Sequence, residues 1–148
     1  MPPIEVSTVI AAPPAEVWAH VADVTSHVEW MTDAEAIRLT SGQSSGVGTT
    51  FDCDTKIGPF RLTDRMEVTE WREDEAMAIR HTGLVTGTGR FHLVPTPAGT
   101  RFEWSETLRF PWWQGGRLAA RIAGLVLRRL WRGNLKRLRD LVQESWNQ

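Results

Sequence analysis

From Ala34 to Phe110 apolar and polar residues alternate, and turn signals cut the alternation every ten or so residues. A period of two describes strands with one buried face, and short polar connections join antiparallel neighbours. Six strands are expected, at about 34–41, 48–57, 60–70, 76–83, 86–94 and 100–109. Ser41 to Gly46, Gly58-Pro59, Arg72 to Glu75, Gly83 to Gly87 and Pro95 to Gly99 separate them. Phe51, Cys53, Thr55 and Ile57 oppose Asp52, Asp54 and Lys56; Phe102, Trp104, Glu106 and Leu108 oppose Arg101, Glu103, Ser105 and Thr107. One face is therefore apolar and needs a cover. The stretch from about Trp113 to Trp146 supplies it, with no proline and room for roughly nine helical turns. At 3.6 residues per turn, Ala119, Ala123, Val126, Leu127, Leu130, Leu138 and Leu141 fall in one arc. Arg117, Arg121, Arg128, Arg132, Lys136 and Arg139 fall in the opposite one.

Upstream, Ile4 to Ala11 alternates as a seventh strand and stops at Pro13-Pro14. Ala15 to Ala22 reads as a short helix with Val17, Trp18 and Val21 turned inward. A second short helix follows, where Ser26 and Glu29 have capping-box spacing.

A length of 148 residues, 41% hydrophobic and 24% charged, suits one globular domain over 1–148, neither disordered nor membrane-embedded. Cys53 is the only cysteine, which excludes an intrachain disulfide and a multi-cysteine zinc site and fits the cytoplasm. The N-terminal residues show no secretory pattern, and Arg121, Arg128 and Arg129 interrupt the most apolar segment, Leu118 to Trp131. Charge is unevenly placed: residues 1–74 hold 5 basic and 13 acidic groups, residues 75–148 hold 12 and 5. Eight of the basic residues lie between Arg117 and Arg139. Such a block can meet nucleic acid, an anionic membrane or a protein partner, but a solvated helix face accounts for it, and no nucleic-acid partner is expected. Phosphate loops, nucleophile elbows and metal-ligand spacings are missing, so no cofactor and no metal are expected.

The segment Val6-Ser7-Thr8-Val9-Ile10-Ala11-Ala12-Pro13-Pro14-Ala15-Glu16-Val17-Trp18 resembles the opening of the SRPBCC (START/Bet v 1-like) superfamily. Asp23 with Trp30-Met31, Gly46-Val47-Gly48-Thr49 and Gly99-Thr100-Arg101-Phe102-Glu103-Trp104 are similar to later parts of its polyketide cyclase/dehydrase and lipid-transport branch. The resemblance implies an α+β helix-grip fold, a seven-stranded antiparallel sheet wrapped around a long C-terminal helix, with two short helices between strands 1 and 2. It covers nearly the whole chain but spans carriers, receptors, cyclases and hydrolases, so it does not choose a chemistry.

Within that frame, successive turns of a meander alternate between the two ends of the sheet. Pro59, Leu84, Val85, Trp112 and Trp113 share an apolar end, where they are expected to rim a cavity mouth. The two adjacent tryptophans, between Pro111 and Gly115-Gly116, are expected to gate it and leave a peripheral membrane contact open. The cavity itself would be lined by Phe51, Cys53, Phe60, Leu62, Met66, Ile79, His81, Phe91, Trp104, Glu106, Ala119, Ala123 and Leu127. Small residues at Ala119, Ala123 and Gly124, and Gly87 with Gly89, leave space, or else let helix and sheet approach closely.

The interior polar groups are Asp64, His81 and Glu106, joined at most by Thr55. Asp64 or Glu106 paired with His81 would make an acid/base couple for cyclisation or dehydration of a polyketone. A strand end in water, or an ion pair with a nearby arginine, is the simpler explanation of these residues, because face assignments slip at bulges. His20, His27 and His92 read as surface groups, and Cys53 as a small core residue. Two functions stand: binding or transport of a hydrophobic small molecule (lipid, polyketide or isoprenoid-like), and a polyketide aromatase/cyclase or dehydratase.

Overall fold

The computed structural model describes residues 3–110 and 116–148. Strand β1 (Ile4–Ile10) leads into helix α1 (Pro14–Ala22) and a 3-10 helix (Val24–Glu29). Strands β2 (Ala34–Leu39), β3 (Thr50–Ile57), β4 (Phe60–Arg72), β5 (Ala76–Thr82), β6 (Thr86–Thr96) and β7 (Gly99–Arg109) follow, then helix α2 (Gly116–Trp146). The strands form one antiparallel sheet in the order β1-β7-β6-β5-β4-β3-β2, so the meander closes with the first strand on the last. Two register shifts, at Ala34/Ala36 and at Val68/Glu70, interrupt the ladders; such bulges bend strands and help a sheet curl.

The concave face is the apolar one. Phe51, Val68, Phe91, Leu93, Phe102, Trp104 and Leu108 are buried with Leu127, Trp131, Leu135, Leu138 and Val142 of α2. Tryptophan supplies much of this bulk. Trp30, Phe91, Trp104 and Trp131 form a chain of ring contacts, ending where Trp104 and Trp131 stack at 4.6 Å. The large area of each indole suits a helix crossing a curved sheet, where small side chains would leave gaps.

Polar bonds set where α2 lies. Buried Asn134 donates from Nδ2 to Asp33 at 2.8 Å, and its Oδ1 accepts from the backbone N–H and the hydroxyl of Thr32. Gln143 accepts from the backbone N–H of Ala11 at 2.8 Å. The carboxy-terminal half of α2 is thus tied to the β1 and β2 sides of the molecule.

Three local expectations change. The inward arc of α2 is Leu127, Trp131, Asn134, Leu135, Leu138 and Val142, so Val126 lies outside it, because the early helix is apolar on more than one side. Ser26 does not cap the second helix: it lies within it, and its hydroxyl donates to the carbonyls of Asp23 and His20. His27 is buried rather than exposed, with Nε2 donating to the carbonyl of Val21 at 2.7 Å. Among the described residues no helix is long and apolar enough to cross a membrane.

Candidate functional site

Between the concave face and α2 lies a cavity of about 130 Å³. Its walls are mostly apolar, with Met31, Met66 and Met77 beside Phe51, Phe91 and Trp104, and Leu127 and Trp131 closing the helix side. One wall is charged. His81 of β5 is held between Asp64 of β4 and Glu106 of β7. Nδ1 lies 2.9 and 3.0 Å from the two Asp64 oxygens, and Nε2 lies 2.7 Å from Glu106 Oε1.

Strand order explains the contact. Asp64 sits on the strand next to His81, but Glu106 is two strands away, across β6. On β6 the residues opposite His81 and Glu106 are Gly87 and Gly89. A methyl group at Gly89 would run into the Glu106 side chain, and one at Gly87 would meet the carbonyl of Thr107. Gly87 also has φ of 132°, a backbone that side chains rarely adopt. Bare glycines therefore let the carboxylate reach over the strand. Gly89→Ala is expected to displace Glu106 from His81 and cost roughly 1–3 kcal/mol by overpacking. Urea unfolding together with the ring NMR signals of His81 would check both effects.

Electrostatics bind the three groups into a unit. Burial by itself lowers the pKa of His81, but the hydrogen bonds and charges of Asp64 and Glu106 outweigh it and raise it to about 10. At neutral pH the ring is an imidazolium donating both N–H groups. Burial raises the pKa of Glu106, against the pull of His81. A carboxyl whose ionisation is set by burial on one side and a neighbouring imidazolium on the other is the kind of group that acid/base chemistry uses. Cys53 also lines the cavity, but burial pushes its thiol up to about 11, so it remains a neutral, small side chain. Among the described residues no group of three or more histidine, cysteine or acidic side chains could hold a metal ion.

His27 also lines the cavity, and burial lowers its pKa to about 4. The unfolded ring titrates near 6.5, so below that pH the unfolded chain takes a proton that the folded chain refuses. This contribution to stability is complete above pH 6.5 and falls by about 3 kcal/mol as pH drops to about 4. In His27→Gln that part of the acid slope should vanish, as urea unfolding across the same range would show.

A family model described as polyketide cyclase/dehydrase and lipid transport matches residues 1–143. The chain belongs to that family. No curated protein matches it in sequence. Among solved structures, TTHA0849 from Thermus thermophilus is 18% identical, with 97% of this chain and 99% of that one covered and a TM-score of 0.82. Zhui aromatase/cyclase from Streptomyces sp. R1128 is 16% identical, with 96% and 93% covered and a TM-score of 0.78. The di-domain ARO/CYC StfQ from the steffimycin biosynthetic pathway is 17% identical, with 97% of this chain and 51% of that one covered and a TM-score of 0.79. These likenesses establish the shared fold.

In this polyketide cyclase/dehydrase and lipid-transport family member, most of the sequence-derived lining surrounds the cavity: Phe51, Cys53, Leu62, Met66, Ile79, His81, Phe91, Trp104, Glu106 and Leu127. Three of the expected residues lie elsewhere. The β3–β4 hairpin runs past the end of β5, whose pairing with β4 starts at Met66, so Phe60 at its tip is 73% exposed. Ala119 and Ala123 are half-buried on early turns of α2 and do not line the cavity, and Gly124 has open space around its α-carbon. Of the expected rim, Val85 lines the cavity, Pro59 and Leu84 are exposed, and Trp112 and Trp113 lie outside the described residues. Asp33, Met31, Ile37, Met77 and Trp131 join the lining unforeseen. Trp131, an aromatic one turn beyond Leu127, was the signal within reach; Asp33 offered none, since its partner Asn134 is 101 residues away.

Proposed function

We propose that the chain binds a hydrophobic small molecule in the interior cavity, with an oxygen-bearing group of that molecule placed against Asp64, His81 and Glu106. The observation that carries this reading is the hydrogen-bonded cluster of Asp64, His81 and Glu106 set in a mostly apolar lining. A mostly apolar lining with a few convergent polar groups is the usual make-up of a small-molecule site. Size narrows the class. An engineered cavity of about 150 Å³ admits benzene, so about 130 Å³ suits one ring or the end of an apolar chain. A larger molecule would displace the adaptable methionines. The free thiol of Cys53 supports a reducing compartment such as the cytoplasm.

The same cluster favours a second reading, an acid/base enzyme acting on a polyketide. Glu106 and Asp64, each hydrogen-bonded to His81, would pass protons to and from the carbonyl and hydroxyl groups of such a substrate. An aromatase/cyclase among the structural neighbours supports the comparison.

Native mass spectrometry of protein purified from its own host tests the binding reading. Mass beyond that of the chain, released on denaturation, is expected. A bare chain with a cavity that takes up no small aromatic such as naphthalene would overturn it. Incubating the released molecule with fresh protein separates the two readings: unchanged molecule supports a carrier, whereas conversion that stops in Glu106→Gln supports an enzyme.

A further inference from the structure

We infer that the first half of α2 docks on an anionic lipid surface. Leu118, Ile122, Leu125 and Val126 are 70%, 55%, 65% and 48% exposed. Their spacing puts them on one stripe, on the side of the helix away from buried Leu127 and Trp131. Further along, the same side carries Arg129, Lys136 and Asp140, so the apolar stripe is confined to the early turns. Isolated exposed leucines are ordinary, but a continuous stripe of four branched side chains is not.

The charges name the partner. Arg117, Arg121, Arg128, Arg129 and Arg132 flank or punctuate the stripe, and the first acidic residue of α2 is Asp140. Among the described residues none of these five arginines forms an ion pair with a carboxylate. An apolar stripe beside unpaired, long cationic side chains matches the boundary of an anionic bilayer, where the stems lie in the apolar layer and the guanidinium groups meet phosphate. A second copy of the chain fits worse. A two-fold pairing of the stripes would bring the arginines of both copies together without counter-charge. Leu84, 52% exposed in the β5–β6 turn, and Phe60, 73% exposed at the β3–β4 tip, are further exposed apolar side chains, at the end of the sheet where β7 finishes. Docking there does not depend on what occupies the cavity.

Flotation with vesicles tests the inference directly. The protein should float with vesicles of equal parts phosphatidylcholine and phosphatidylglycerol and not with phosphatidylcholine alone, and added salt should weaken the binding. The double variant Leu118→Glu, Ile122→Glu should lose flotation while its thermal midpoint is kept, since both side chains are exposed. Arg121→Gln or Arg128→Gln should each weaken binding about fivefold. Failure to float with the anionic vesicles, or flotation that survives the double variant, would overturn the proposal. So would a dimer in sedimentation that the double variant dissociates, because the stripe would then belong to a second copy.

Discussion

Replacing His81 with alanine is expected to destabilise the protein by roughly 3–5 kcal/mol at neutral pH, the range for removing one partner of a buried charge cluster. The ring stands between two carboxylates with its nitrogens 2.7 to 3.0 Å from their oxygens. Without it Asp64 and Glu106 face each other across an empty space and lose their shared cation. Burial raises the pKa of Glu106 and the hydrogen bond and charge of His81 oppose that rise, so in the variant the carboxyl takes up a proton more readily. The stability deficit should therefore shrink in acid. Urea unfolding at neutral pH and near the ordinary carboxyl pKa of 4.5 measures both parts. A deficit below about 1 kcal/mol, the range of an exposed pair, would mean that the cluster is well hydrated.

The second large effect belongs to Trp131. It is buried, stacks on Trp104 at 4.6 Å with ring planes 23° apart, and closes the helix side of the cavity. Trp131→Ala removes that stack and leaves a hole which a helix tied down at Asn134 and Gln143 cannot collapse to fill. A loss of about 3–5 kcal/mol is expected, seen as a lower urea midpoint with an unchanged slope. The enlarged space should also admit two-ring aromatics that the parent protein excludes. A stability loss with no change in the size of ligand accepted would place Trp131 in the core and away from the binding space.

The strands were legible because period-two alternation and Gly- or Pro-containing turns act locally. Observed strand limits differ from the expected ones by only a residue or two, as at Ala34–Leu39 and Thr50–Ile57. The inward set Asp64, His81 and Glu106 was legible for the same reason, since side-chain parity is a property of each strand. That all three meet was not. It depends on bare glycines in β6 and on the order of three separate strands.

The helix faces were harder to read. Over the early turns of α2, leucine and isoleucine lie on the side away from the core, so apolar periodicity there marks more than one face. His27 was misplaced because its neighbours Ser26 and Val28 say nothing about the carbonyl of Val21, which the fold brings to its ring. Phe60 has the parity of an inward residue but lies beyond the last strand that could cover it.

In the charged wall of the cavity an imidazolium bridges two carboxylates. Nitrogen NMR of labelled protein, following the His81 ring through a pH titration, addresses it most directly. With a folded pKa of about 10 against 6.5 in the unfolded chain, the stabilisation is complete below pH 6.5 and is lost as pH rises through about 10. Both ring nitrogens should accordingly remain protonated through neutral pH and titrate towards pH 10, and Glu106→Gln should bring the midpoint down. A midpoint near the ordinary 6.5, unchanged in that variant, would contradict the account.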